Sequence, residues 1–307
     1  MTKSQATLSG KMSEPGVDVP KIGQALLDHL GSWDDAAAMR LFHDAAEGTA
    51  LKDRLANTAP EILLAVLRFG AGLSHASDCD SITKWIADNP GRWSNVLTPD
   101  AREWSRAVID IGSAQSEIAR ASAMQDRATA QRLYNEMMAE AGATMAIGSW
   151  MEQRTIYSTA AYISALIPGA RRDFHLGYDV FLPALTPLFM PMDGTIVEVG
   201  IIDQRLDYGG YIVTSHDTGE KEFYALWGHL AHESPRRWTA GQTVSEGTEF
   251  ALIGDFEENG WWLPHLHLQL STVKFADFTK MPGVGEETCQ MLWREMFPDP
   301  DNLILGR

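Results

Sequence analysis

Cysteine is nearly absent from this chain of 307 residues: there are two, Cys79 and Cys289, far apart in sequence. Isolated thiols make no metal-type spacing, and they read as reduced rather than bonded to each other. Positive charge is scarce as well. Lys and Arg number 25 against 41 Asp and Glu, a formal net charge of −16. That balance argues against a nucleic acid or an anionic membrane surface as partner. Long hydrophobic runs are also missing. No window reaches the ~18 consecutive apolar residues of a membrane span. The polar opening MTKSQATLSGKMSEPGVDVP has no apolar core of the kind that exports a chain. The expectation is a cytoplasmic protein, with residues 1–20 as a flexible tail.

What is present is the composition of a globular protein, 45% hydrophobic and 21% charged, in a chain long enough for one large domain or two ordinary ones. Its character changes near residue 168. Before that point, helical spacing dominates: Ile22, Leu26, Leu27 and Leu30, then Ile62, Val66 and Phe69 behind Pro60-Glu61, then Ile82, Trp85 and Ile86 ended by Asn89-Pro90. Thr98-Pro99-Asp100 reads as a helix start. The Ala- and Met-rich run to residue 147 reads as two or three helices, with Trp104, Val108, Ile111 and Ile118 inward. Residues 21–165 are therefore expected to be a helical domain, and its long helices a possible homodimer face.

From Pro168, short strand candidates follow one another: 194–200, 210–216, 222–227 and 249–254, separated by Asp193-Gly194, Gly209-Gly210, Thr218-Gly219 and Glu246-Gly247. The fold class expected is α+β, an all-helical N-terminal domain followed by an antiparallel β-sheet domain over 166–307.

Six of the nine histidines fall between 175 and 267. The stretch P-H-L-H-L-Q-L, 264–270, alternates so that Leu266, Leu268 and Leu270 share one face of a strand and His265, His267 and Gln269 the other. His175 and Asp179 are four residues apart in H-L-G-Y-D, with Gly177 between them to let the backbone bend. His229 lies in G-H-L. Imidazole and carboxylate are good zinc ligands, and a catalytic zinc site uses three protein groups and leaves a fourth position open. Strand neighbours i and i+2 stand about 6.5–7 Å apart. If His267 holds the metal, His265 is better cast as an acid/base group than as a second ligand.

These motifs resemble the lysostaphin/LytM-type zinc metallopeptidases, whose pattern is H-x-x-x-D, a lone His in G/A-H-L, then H-x-H. All three occur in order at 175–179, 228–230 and 265–267, and the resemblance covers 171–307. It implies His175, Asp179 and His267 as zinc ligands, with His265 and His229 activating water and stabilising the tetrahedral intermediate. It also implies peptide or peptidoglycan cross-links as substrate class. Two departures stand out. Leu268 and Gln269 replace the Phe-Glu frequent in exported members, which points to the cytoplasmic peptidase-like domains found fused to aminotransferases. The assisting tyrosine of some members has no match just before His175, leaving Tyr157 or Tyr162.

Blander readings hold elsewhere. His216 in S-H-D-T-G reads as a hairpin turn, and His232 is the runner-up for a site role. Arg154 could pair with a carboxylate near the groove but reads more simply as a surface ion pair, and Arg171-Arg172 as solvated, while Trp261 and Trp262 read equally as groove wall or packing. Three functions remain open: a zinc hydrolase of a peptide or amide bond, a zinc enzyme acting on an amino-acid-derived small molecule, and a non-catalytic binding domain. The five intact site residues speak against the last.

Overall fold

The computed structural model describes residues 3–14, 16–74, 78–89 and 92–305; Pro90 and the side chain of Cys79 lie outside them. The first half opens on helices α1 (Lys3–Met12), α2 (Val19–Leu30), α3 (Asp35–Ala46), α4 (Ala50–Arg54), α5 (Pro60–Gly70) and α6 (Asp78–Asp88). Within the stretch expected to be a tail, α1 instead packs as a helix and buries Leu8 and Met12. Local chemistry sets the helix starts: the Asp34 side chain accepts from the Ala37 amide, and α5 begins on Pro60 with Glu61 in its first turn. Helices α2 and α5 touch backbone to backbone, since a Cβ on Gly23 would stand 1.9 Å from the Leu67 carbonyl oxygen. Only glycine permits that approach.

Residues 99–147 depart from the helical expectation. After a 3₁₀ turn, Pro99–Glu103, the chain runs through strand β1 (Arg106–Val108), helices α7 (Glu117–Ala123) and α8 (Arg127–Ala141), and strand β2 (Met145–Gly148). Val108, expected inward, is 68% exposed. The composition favours helix, but pairing with the sheet decides the outcome. Met137 and Met138, within the run expected to offer a dimer face, pack against a cluster containing Phe181 and Phe256.

The β half contributes β3 (Arg172–His175), β4 (Tyr178–Phe181), β5 (Pro187–Phe189), β6 (Gly194–Ile202), β7 (Gly209–Asp217), β8 (Glu222–Leu230), β9 (Thr243–Val244), β10 (Glu249–Leu252), β11 (His265–Ser271) and β12 (Val284–Glu286). Eight strands form one sheet in the order β1-β2-β4-β11-β8-β7-β6-β9, and β10-β5 and β12-β3 form two small ladders. Every pairing in the main sheet is antiparallel except β1 with β2. The α+β class therefore holds, a helical N-terminal region followed by an antiparallel-rich sheet domain.

On β11 the alternation is as the sequence implies. Leu266, Leu268 and Leu270 are fully buried against Val180, Ile212 and Trp227 on one face, leaving His265, His267 and Gln269 on the other. Register then assembles the site. His267 stands opposite Asp179 on β4 and opposite Gly228 on β8, and Gly148 on β2 stands opposite Asp179 from the other side. Among the described residues, no helix is long and apolar enough to cross a membrane.

Candidate metal centre

His175, Asp179 and His267, expected from the sequence as a group, come together and are all buried. His175 Nε2 lies 3.0 Å from His267 Nδ1 and 3.3 Å from Asp179 Oδ1, and His267 Nδ1 lies 3.0 Å from the same carboxylate oxygen. A tetrahedral ion holding nitrogen and oxygen ligands at about 2.0–2.1 Å separates them by roughly 3.3 Å. The triangle has the right size.

Hydrogen bonding on the far side of each ring fixes what it presents. His175 Nδ1 faces the Ser149 carbonyl at 3.3 Å and donates to it, so Nε2 is bare. His267 Nε2 faces Gln269 Oε1 at 3.2 Å. The Gln269 amide nitrogen is itself committed to the Pro282 carbonyl at 3.0 Å, so Oε1 is the acceptor and His267 donates. His267 Nδ1 is therefore bare too. Two imidazole lone pairs and a carboxylate oxygen converge with no proton of their own between them, an arrangement that repels itself unless a cation sits inside. Carbonyl and amide partners of this kind orient metal ligands generally.

Gly177 has a different part from the bend expected of it. A Cβ there would fall 2.3 Å from His267 Cε1, so the glycine makes room for the His267 ring.

Arg154 is not on the surface, and of its two sequence readings the pairing with a carboxylate near the groove is the one found. It is 3% exposed and donates from Nη2 to Asp179 Oδ2 at 2.6 Å, from Nε to Glu152 at 3.1 Å and from Nη1 to the Tyr157 hydroxyl at 3.0 Å. Burial opposes ionisation of Asp179, yet His175, Arg154 and His265 together hold it well below the usual carboxylate range. Arg154 is the partner that keeps its charge at neutral pH.

His265 and His229 flank the triangle. His265 Nδ1 donates to the Leu263 carbonyl at 2.7 Å, leaving Nε2 at 3.7 Å from Asp179 Oδ1. His229 Nδ1 donates to the Asn259 carbonyl at 2.8 Å, and the two rings stand 4.3 Å apart. Burial, more than any neighbour, pushes His265 down to about 4 and His229 well below its ordinary value, and it brings His175 to about 3. These rings stay neutral at pH 7. His229 sits at φ +63°, left-handed backbone uncommon for a non-glycine residue and typical of functional positions.

The surrounding pocket encloses about 500 Å³. Tyr157 and Tyr162 both line it, stacked at 4.3 Å, and Trp262 closes on Tyr157 and His229 at 6.4 Å. Trp262 is thus wall, while Trp261 lies under Arg205 at 4.5 Å. Tyr208, missed in the sequence, packs its ring 5.4 Å from His267. His232 does not line the pocket. His216 lies on β7 rather than in a turn, buried, with Nδ1 on the Asp193 carbonyl at 3.1 Å and Nε2 on Thr214 at 2.8 Å.

Residues 173–277 match the model of peptidase family M23. Over that stretch the β half is similar to peptidase family M23. Solved structures similar to this chain include a Pseudomonas aeruginosa protein provisionally described as peptidase M23 (20% identity, TM-score 0.28, covering 43% of this chain and 44% of that one). A zinc-containing peptidase from Vibrio cholerae matches at 27% identity and TM-score 0.25, covering 33% and 28%. The catalytic domain of lysostaphin from Staphylococcus simulans matches at 23% identity and TM-score 0.28, covering 40% and 83%. The chain thus spans less than half the length of the first two. These scores are too low to carry an argument, and the M23 reading rests on the family match and the motifs. No curated protein matches the chain.

Proposed function

We propose that this protein is a zinc-dependent hydrolase of a peptide or amide bond, with His175, Asp179 and His267 as ligands and His265 and His229 as proton carriers. The observation that carries the reading is the convergence of three bare donor atoms within 3.0–3.3 Å, each held from behind by a fixed partner. Zinc held by these three residues would supply a Lewis acid for the carbonyl and lower the pKa of a water towards about 7.

The chain does the rest. His265 and His229, locked through Nδ1, turn neutral Nε2 atoms toward the pocket, so one accepts the water proton and returns it to the departing amine. Neither neutral ring can donate to a developing oxyanion while Nε2 is bare. The Tyr157 hydroxyl accepts from Arg154 and keeps its own proton, which makes it the donor we assign. Asp179, pinned by Arg154, orients the triangle.

The pocket favours a short substrate. Residues 166–307 carry the ligands and the proton carriers, while region 21–165 supplies Arg154 and Tyr157, and its Ile111, Ala119, Ser122 and Ala123 wall the site. That enclosure supports an amino-acid-derived amide over a long polymer.

The test compares zinc content and amide cleavage in the wild type, His267→Ala and His265→Ala. His267→Ala should lose metal, and His265→Ala should keep metal and lose turnover. Equal zinc in all three proteins would end the ligand assignment.

A further inference from the structure

The pocket is cationic inside an acidic protein. Besides Arg154, its lining includes Arg172, Arg205 and Lys280, against only two carboxylates, Asp179 and Asp207. Arg154 is consumed by Asp179 and Glu152. The other three have no carboxylate within ion-pair distance among the described residues, although acids outnumber bases 41 to 25 in the chain. These three gather at one cavity.

Their surroundings differ. Arg205 stands over the Trp261 ring and bonds to Gln125. Arg172 donates to the Ala161 carbonyl, and its Nε is buried with no partner. Lys280 ends the turn Phe278–Lys280 and is exposed. Asp207, the remaining acid, is half buried, and its Oδ1 accepts from the Tyr208 amide at 2.8 Å. A cavity of about 500 Å³ falls in the range of small-molecule sites, roughly 300–1,000 Å³.

We propose that the pocket takes a short peptide or N-acyl amino acid bearing a free carboxylate, anchored by Arg172 and Lys280. The hydrolase reading supplies only the bond that would be cut, which this anchor places near the substrate's carboxyl end. The anchor itself is a binding site and stands apart from turnover. An unpaired guanidinium and an ammonium supply charge-assisted hydrogen bonds to such a group.

The test uses the full-length, zinc-loaded chain carrying His265→Ala to stop turnover. The probe is a mixed library of N-acetyl tripeptides in two forms, free acid and C-terminal amide, with retained peptides read by mass spectrometry after ultrafiltration. Acids should be enriched over amides by at least about tenfold, the scale of one charge-assisted contact. Adding Lys280→Gln or Arg172→Gln should cut that preference several-fold. Lys274→Gln, exposed and outside the pocket, should leave it unchanged. Because Lys280 is exposed, its variant tests the anchor even if Arg172→Gln folds poorly.

Equal retention of both forms, retention of neither, or a preference untouched by Lys280→Gln would overturn the anchor. Direct capture of carboxylates by the metal would show as a preference that survives both substitutions. In a parallel arm with the unsubstituted enzyme, failure to cleave any acid, with the enrichment intact, would sink the hydrolase reading alone.

Discussion

Replacing Arg154 with methionine should destabilise the metal-free protein by about 3–5 kcal/mol, the usual loss when one partner of a buried ion pair is removed. The structure explains why the figure belongs at that scale. Methionine fills similar space, so packing changes little, but Asp179 loses its 2.6 Å donor while remaining fully buried. Glu152 and the Tyr157 hydroxyl lose donors at 3.1 and 3.0 Å in the same stroke. At roughly 2–3 °C per kcal/mol for a chain of this size, melting should fall by about 6–15 °C. Urea denaturation of chelator-treated protein would measure it, with Asp179→Asn and the double variant completing a cycle. The double variant should recover more than half the loss, because the fully buried Asp179 is then no longer a stranded charge and only the partly exposed Glu152 lacks its cation. A single variant melting within about 2 °C of the wild type, or a double variant as unstable as the sum of the two, would refute the charge-pair account.

Other outcomes are equally definite. Gln269→Leu removes the acceptor that holds His267, and zinc affinity should fall about 10–100-fold; a chromophoric chelator competition showing unchanged affinity would contradict it. Gly177→Ala should reduce zinc content sharply while cutting stability by about 1–3 kcal/mol, since the new methyl would meet the His267 ring; full zinc occupancy in purified protein would count against it. His216, brought down to about 4 by burial, should stabilise the fold fully above its unfolded value near 6.5 and lose that contribution as pH falls towards 4. The unfolded chain binds the proton first over that window, so stability drops with acid, by up to about 3 kcal/mol. The gap in unfolding free energy between wild type and His216→Gln should therefore shrink between pH 7 and pH 4.5, and a constant gap would oppose the reading.

The sequence exposes the site more readily than its supports. Alternation at 264–270 places His265 and His267 on one strand face from residue order alone, and glycine-bounded motifs bring His175, Asp179 and His229 into the same set. Arg154 could not be read that way. Its burial depends on β2 pairing with β4, and nothing local in M-E-Q-R-T-I-Y marks it as internal. Residues 106–108 and 145–148 were hidden for a related reason: their Ala- and Met-rich surroundings favour helix, and only a partner strand makes them extended. Gln269 lay in view on the same face as the histidines, but its amide is informative only once Pro282 is seen to take its donor.

The strand order has a consequence for how the chain is made. β11 lies between β4 and β8, both of which precede it in sequence, and it carries His265 and His267. During synthesis the first half of the sheet must wait with a gap where β11 will later enter, some 85 residues after β4. On the proposed ligand set, His175 and Asp179 would until then be two ligands without a third, too few to hold zinc firmly. On that proposal, metal capture would be deferred until the sheet closes, and a nascent chain would have little means to trap an ion in the wrong geometry.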